Sequence, residues 1–408
     1  MTRQNRWSGV VITAAAMFLL AQKVVLGESM VANPMQKVGA ANNAFASDLY
    51  AHLASDKGNL FFSPTSIETA LAMTWAGARG QTARQMAQTM HLDDQPGVAD
   101  QFGAFQKQLD EDGKKGGYEL ATANALWGAK GYVFDPGYLN LVQTKFGGHL
   151  RDLDFATNPD ASRLIINGWV ADQTHDKIKD LLPQGSIVPS VRLVLTNAIY
   201  FKANWDNPFQ KSRTQDADFT TADGTTTKAP MMSQQAHFAY AEDADVQVLD
   251  MTYGNDDLAM RIYLPRKADG LPAFEKSLTV ERMARLAGHM QQQEVLVSLP
   301  RFKVESSFNL GDVLQAMGMK LPFDAMHADF SGMSTTEPFF ISLIVHKAYV
   351  NVDEEGTEAA AATGIVMRLG AVLVRVEPKV FRADHPFIFS IVHRKTGAIL
   401  FMGRLARP

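Results

Sequence analysis

Helix-like and strand-like segments are separated along this chain, and no linker divides it into domains. In the amino-terminal part, Phe45, Leu49 and Leu53 lie at helical spacing, and residues 63–66 offer cap and first-turn chemistry for a second helix. Later segments alternate like strands, and the polar turn at residues 254–257 predicts a hairpin. No stretch rich in proline, glycine and serine interrupts the chain. This order predicts one large α+β domain.

The composition excludes several classes of function. Apolar residues make up 46% of the 408 residues, so the chain can bury a full core. The 39 basic and 43 acidic residues nearly balance, which argues against a nucleic-acid binder. The chain has no cysteine, which excludes disulfides and cysteine-ligated metals, and its 10 histidines are scattered singly. We therefore expect no cofactor, no metal and no nucleic-acid partner.

Most enzyme signatures are absent from the sequence. It contains no G-x-S-x-G elbow, no H-E-x-x-H pair, no Walker loop and no G-x-G-x-x-G fingerprint. Residues 395–397 match one β-lactamase motif, but no serine has a lysine three residues later, so a hairpin turn explains them better. A serine–histidine–aspartate triad stays open on composition alone, although no spacing points to one. We predict that the protein is not an enzyme.

The first 27 residues match the pattern of a secretory signal peptide. A short basic region precedes residues 9–21, which are apolar apart from one threonine and, at 13 residues, too short to cross a bilayer. Cleavage is expected near residues 25–27, with Ala21 as a second candidate, and an uncleaved anchor is the alternative. Either form predicts a secreted or periplasmic location for the folded body, residues 37–408. The lack of cysteine fits a bacterial envelope.

The segment at residues 354–380 has a composition that suits insertion into a sheet. No charge interrupts residues 359–367, and no proline occurs between Gly356 and Pro378. Proline is disfavoured in central strands because it cannot donate a hydrogen bond to the neighbouring strand, and charged side chains are disfavoured on a buried face. Four consecutive alanines favour a helix, whereas the β-branched residues that follow them favour a strand. The segment could therefore join a β-sheet, with an exposed loop or a short alanine-rich helix as alternatives.

Four motifs occur in order along the chain, at residues 59–67, 196–205, 353–361 and 381–387. Taken together, they resemble the serpin family over about residues 40–408. The resemblance implies a monomeric single-domain α+β fold, with three β-sheets and about eight or nine helices. It also implies an exposed reactive-centre loop at about residues 354–380.

The resemblance implies a mechanism as well as a fold. In this family a target protease attacks the loop as a substrate and forms an acyl-enzyme. The cut loop then enters the central sheet as a new strand before deacylation, and the protease is distorted. The chain would thus be a suicide inhibitor of serine proteases and would supply no catalytic residue. The alternatives are a non-inhibitory serpin that acts as a chaperone or ligand carrier, and an inhibitor of cysteine proteases.

Three regions of functional residues follow from the matched motifs. The hinge would comprise Glu354, Gly356, Thr357, Glu358, Ala359, Ala360, Ala361 and Ala362. The shutter, a polar group beneath the central strands, would comprise Ser63, Ser66, Asn197 and His346. The breach, where the loop enters the sheet, would comprise Trp205, Arg301 and Glu354. Thr357 would enter the sheet first, so a small uncharged side chain matters there.

The scissile bond is placed by counting along the loop. The family's usual count from the hinge glycine reaches the bond between Gly370 and Ala371, whereas counting back from residues 381–387 moves it further along. The other candidate residues are Arg368, Leu369, Leu373 and Arg375. Apolar candidates suit elastase-, subtilisin- or chymotrypsin-like proteases, and the arginines suit trypsin-like ones. Inhibition depends on loop length, which favours the Gly370 region.

Overall fold

Nine α-helices and fifteen β-strands form the part of the chain that the structure, a computed structural model, describes: residues 34–92, 97–254, 256–334, 338–357 and 377–408. The helices are α1 (Pro34–Leu53), α2 (Pro64–Ala76), α3 (Gly80–Thr89), α4 (Val98–Asp112), α5 (Pro136–Phe146), α6 (Pro159–Gln173), α7 (Leu271–Lys276), α8 (Val280–Gly288) and α9 (Gly311–Ala316). The strands are β1 (Leu60–Phe62), β2 (Tyr118–Ala129), β3 (His149–Leu153), β4 (Leu193–Asn204), β5 (Gln215–Thr220), β6 (Thr226–Glu242), β7 (Val246–Tyr253), β8 (Leu258–Pro265), β9 (Gln291–Pro300), β10 (Phe302–Asn309), β11 (Leu343–Val352), β12 (Gly356–Thr357), β13 (Lys379–Arg382), β14 (Phe387–His393) and β15 (Ala398–Leu405). These elements confirm the predicted α+β class.

Helix α2 begins where the sequence predicts a cap. The Ser63 hydroxyl accepts a hydrogen bond from the Ser66 amide at 3.2 Å, and Pro64 occupies the first turn. Every residue of this helix from Pro64 to Thr74 is buried. A helix that is buried on all sides must lie between layers, and α2 contacts β4 of one sheet and β15 of the other.

The six-stranded sheet has the order β10-β11-β12-β4-β2-β3. Strands β11 and β4 are parallel and pair directly from Leu343↔Val194 to Tyr349↔Tyr200. Beyond that point the two-residue strand β12 lies between them, antiparallel to both. Nine consecutive residues of β4 are buried, as expected for a central strand that is covered on both faces.

The nine-stranded sheet has the order β1-β15-β14-β8-β7-β6-β9-β13, and β5 also pairs with β6. The serpin resemblance implies three sheets, whereas hydrogen bonds link the described strands into two. The reason is β6, a strand of 17 residues that pairs with β5 and β9 and then, at its end, with β7. One continuous strand thus belongs to both halves of this sheet.

Two apolar clusters pack against the sheets. The larger lies between the layers and contains α2, while the smaller lies under α6 and includes Trp127, Ile166 and Val170. The rings of Trp127 and Trp169 meet edge to face at 5.4 Å. Within the described residues, we find no helix with the length and apolar character that a membrane span requires.

Candidate functional site

The predicted shutter residues form a hydrogen-bonded group where β11 and β4 pair. His346 and Asn197 lie directly opposite each other in the register, and both side chains are buried. The His346 Nε2 atom accepts a hydrogen bond from the Ser63 amide at 3.2 Å. The proton of the neutral ring therefore lies on Nδ1, which donates to the Asn197 Oδ1 atom. This contact joins the two strands that an inserting loop would separate.

Asn124 belongs to the same hydrogen-bonded group as the predicted shutter residues, although sequence reasoning did not select it. The Asn197 Nδ2 group donates to the Ser66 hydroxyl at 2.6 Å and to Asn124 Oδ1. The Ser66 hydroxyl donates to the same Asn124 oxygen at 3.2 Å. One signal was available, because Asn124 interrupts an otherwise small and apolar stretch of β2. Three strands and α2 are thus linked by one buried polar network.

The buried His346 makes stability depend on pH. Burial lowers the pKa of His346 to about 3 from an ordinary value of 6.5. Below pH 6.5 the unfolded chain therefore binds a proton at this histidine that the folded chain does not bind. The free energy of unfolding is thus highest above pH 6.5 and falls as the pH drops towards 3. We expect a loss of about 2 kcal/mol between pH 7 and pH 5 from this group. Urea unfolding at both pH values measures this loss in the free energy of unfolding.

The control for this prediction is His346→Gln. Glutamine keeps one donor and one acceptor but does not titrate, so its unfolding should depend less on pH over this window. Equal pH dependence in the variant and the unchanged protein would show that His346 does not carry the effect.

Glu68 is a buried carboxyl group in α2 without a hydrogen bond from any described residue. Its side chain is fully buried, and neither oxygen has a partner within the described ranges. Burial raises the pKa of Glu68 well above its ordinary value. The folded state therefore favours the protonated Glu68 carboxyl group. The free energy of unfolding decreases as the pH rises above the ordinary carboxyl range, because the unfolded chain then ionises this group more easily than the folded chain. At neutral pH the group lowers the stability of the folded protein.

We expect Glu68→Met to raise the free energy of unfolding by about 1–2 kcal/mol at pH 7, because it removes an unsatisfied buried polar group. Thermal unfolding measures the change. The matched control is Glu111→Met in α4, where the carboxylate is half-exposed and a smaller effect is expected. A lower melting temperature for Glu68→Met would contradict the prediction.

The predicted breach residues converge on one segment at the end of β11. Glu354 is 2% exposed, and the Arg301 Nε atom lies 2.8 Å from both of its carboxylate oxygens. The Thr214 hydroxyl donates a further hydrogen bond to Glu354. Burial acts to raise the pKa of Glu354, but the hydrogen bonds from Arg301 and Thr214 outweigh it and hold the pKa below the ordinary value.

Trp205 holds the same segment from the other side. Its indole Nε1 donates to the Asp353 carbonyl at 3.0 Å, and its amide donates to the Glu355 carbonyl at 2.9 Å. The Lys211 ammonium lies 2.6 Å from the Glu355 carboxylate. Sequence reasoning selected Trp205 but missed Lys211 and Thr214, because the 204–214 connection carries no pattern that indicates its partner.

The described part of the hinge folds back into the sheet. The Asp353 carboxylate accepts hydrogen bonds from the Glu355 and Gly356 amides at 2.9 and 3.3 Å, which closes a turn. Gly356 has a φ of 155°, and a Cβ there would lie 2.1 Å from the Ala203 carbonyl oxygen, so only glycine fits. Thr357 follows and is fully buried.

The other predicted loop residues lie outside the described ranges. They are Glu358, Ala359, Ala360, Ala361 and Ala362 of the hinge, and Arg368, Leu369, Gly370, Ala371, Leu373 and Arg375 near the scissile bond. The predicted signal segment, residues 1–27, also lies outside them. In the described residues, no group of three or more histidine or acidic side chains is placed to bind a metal ion.

Comparison with known proteins gives one consistent family. The family model described as "Serpin (serine protease inhibitor)" matches residues 40–408. An uncharacterized serpin-like protein of Thermococcus kodakarensis is 42% identical over 90% of this chain and 85% of its own length. The leukocyte elastase inhibitor of Bos taurus is 42% identical over 92% of this chain and 100% of its own.

Solved structures agree with the sequence matches. Uncleaved ovalbumin aligns with a TM-score of 0.82 at 30% identity, covering 91% of this chain and 100% of that chain. Human thyroxine-binding globulin aligns with a TM-score of 0.83 at 29% identity, covering 92% and 100%. These likenesses confirm the expected fold. The family model and the relatives that are 42% identical show that this chain belongs to the serpin family, which the model describes as serine protease inhibitors.

Proposed function

We propose that this serpin inhibits serine proteases as a suicide substrate and traps the acyl-enzyme by inserting its cleaved loop between β4 and β11. The observation that carries the proposal is the position of β12. Gly356 and Thr357 already pair with β4, at Asn204 and Ala203, and Thr357 also pairs with Val352 of β11. The first residues of the loop thus occupy the path that the remainder would follow.

The pairing pattern supports insertion as an energetically favourable step. Strands β4 and β11 share seven parallel residue pairs, whereas β12 is antiparallel to both strands. A longer inserted strand would therefore replace one parallel ladder with two antiparallel ladders. Antiparallel pairing is slightly more stable per residue, and each added hydrogen bond contributes a net of about 0.5–1.5 kcal/mol.

The covalent chemistry belongs to the target protease. Its serine oxygen attacks the scissile carbonyl, an ester forms, the peptide bond breaks, and the new amine leaves with the serine proton. The serpin supplies the bait and the sheet that accepts the cut strand. Several relatives are named leukocyte elastase inhibitors, and Leu369 and Gly370 are apolar or small, so we propose an elastase-like target.

We further propose that residues 1–27 direct export of a monomer to an extracytoplasmic space. The basic start and the short apolar run support this location. Expression in a bacterial host, followed by intact mass measurement of the exported protein, identifies the first residue of the mature chain. Retention of the full-length chain in the cytoplasm would contradict the proposal.

Incubation with a panel of proteases tests inhibition directly. Elastase, chymotrypsin, subtilisin, trypsin and papain are each mixed with the serpin, and the products are separated on denaturing gels and weighed by mass spectrometry. We expect a covalent complex with a serine protease and a released carboxyl-terminal peptide whose first residue identifies the scissile bond. Cleavage without any complex would favour a non-inhibitory role, and a complex with papain alone would assign cysteine proteases as targets.

A further inference from the structure

The Tyr253 side chain connects the two sheets at the point where the loop enters. Tyr253 ends β7 in the nine-stranded sheet and is fully buried. Its hydroxyl lies 2.8 Å from the Thr357 hydroxyl in the six-stranded sheet. The ring is held from two sides, since it stacks on Trp205 at 4.2 Å and meets Phe201 edge to face at 5.4 Å. A rigid ring therefore presents a single polar atom to the hinge.

We propose that Tyr253 is a positioning residue for inhibition: its hydroxyl holds Thr357 in the sheet before the loop is cut, so that insertion starts from a strand that is already begun. The inference rests on the proposed inhibitory function and adds a residue to it. Tyr253 contacts the inserting strand and does not act on the scissile bond.

The burial of both hydroxyl groups explains why the hinge stays in the sheet. The Thr357 and Tyr253 hydroxyl groups form a hydrogen bond with each other, and either oxygen can be the donor. If the hinge left the sheet, the Tyr253 hydroxyl would lose this partner while its ring remained packed by Trp205 and Phe201. An unpaired buried hydroxyl is costly, so the inserted position is favoured.

An early start to insertion matters because two rates compete after cleavage. The acyl-enzyme is either trapped by insertion or released by hydrolysis, and the stoichiometry of inhibition reports the ratio of release to trapping. A hinge already in register needs only to extend the strand. A hinge outside the sheet must first order the turn at residues 353–356, which costs conformational entropy. Loss of the Tyr253 hydroxyl should therefore increase release.

Tyr253→Phe tests this, since it removes one oxygen and keeps the ring. With a protease that forms a complex with the unchanged protein, we expect the stoichiometry of inhibition minus one to rise about two- to tenfold, as the loss of one buried hydrogen bond predicts. Thr357→Val removes the other hydroxyl and retains a β-branched side chain. The double variant should be no worse than either single variant, because both remove the same contact.

Tyr138→Phe is the matched control for a purely structural effect. Tyr138 is also buried, and its hydroxyl donates to the Met73 carbonyl at 3.1 Å, away from the hinge. We expect this variant to lower the melting temperature without changing the stoichiometry. An additive double variant, or equal stoichiometry for Tyr253→Phe and the unchanged protein, would overturn the inference.

Hydrogen exchange gives a readout that needs no target protease. A peptide that covers residues 353–357 should exchange about two- to tenfold faster in Tyr253→Phe than in the unchanged protein, and at an unchanged rate in Tyr138→Phe. Equal exchange in Tyr253→Phe would overturn the inference even if inhibition were established. Failure to form a complex with every protease would refute the proposed function, while faster exchange would still support the role of Tyr253 in holding the hinge.

Discussion

Thr357→Arg is expected to convert the protein from an inhibitor into a substrate of the same protease. Thr357 is fully buried between β4 and β11, and within the described part of the chain its hydroxyl forms a hydrogen bond with the buried Tyr253 hydroxyl. A guanidinium group there would lose its hydration in a fully buried position, which costs about 3 kcal/mol or more. Insertion should slow by about a hundredfold or more. The protease should then cleave the loop and leave.

Gel analysis and residual protease activity measure this outcome. We expect a cleaved Thr357→Arg chain, no covalent complex and full recovery of protease activity. The control is Thr357→Ser, which keeps the hydroxyl and the small volume and should still form the complex. If Thr357→Arg inhibits with the stoichiometry of the unchanged protein, the loop does not enter the sheet through this position.

Arg301→Met is expected to lower the free energy of unfolding by roughly 2–4 kcal/mol at pH 7. It leaves the Glu354 carboxylate, which is only 2% exposed, without its cationic partner. Breaking a fully buried ion pair costs about 3–5 kcal/mol, and we reduce that value because the Arg301 side chain is 43% exposed to water. The Thr214 hydrogen bond to Glu354 remains in the variant.

Chemical unfolding measures the change, with two matched variants. Lys228→Met removes one partner of an exposed ion pair with Asp218 and should change stability by less than about 1 kcal/mol. Adding Glu354→Gln to Arg301→Met should recover part of the loss, since it removes the unpaired charge. Equal effects of Arg301→Met and Lys228→Met would show that the breach ion pair contributes no more than a surface pair.

Local chemistry made part of this structure predictable. Ser63 and Pro64 indicate a helix start, and α2 begins at Pro64 with Ser63 as its cap. Turn residues, small residues and the lack of proline marked the segment near Gly356, which the structure places beside β4. Motifs selected Asn197 and His346, which lie opposite each other. Short-range sequence rules and family motifs suffice for such features.

Long-range contacts explain what the sequence could not indicate. Tyr253 and Thr357 lie 104 residues apart, and Asn124 and Asn197 lie 73 apart, so no local pattern pairs them. Thr214 precedes β5 without a motif, and its role depends on how Glu354 folds back. The joining of two sheets follows from the length of β6, which the alternation of its residues does not reveal.

The melting temperature before and after loop cleavage tests insertion most directly. A non-target metalloprotease cuts the loop, and the nicked protein is heated alongside the uncut protein. If the cut loop extends β12 between β4 and β11, a dozen or so new strand residues should raise the melting temperature by about ten degrees or more. An unchanged or lower melting temperature in the fully cleaved protein would contradict insertion, and with it the proposed mechanism of inhibition.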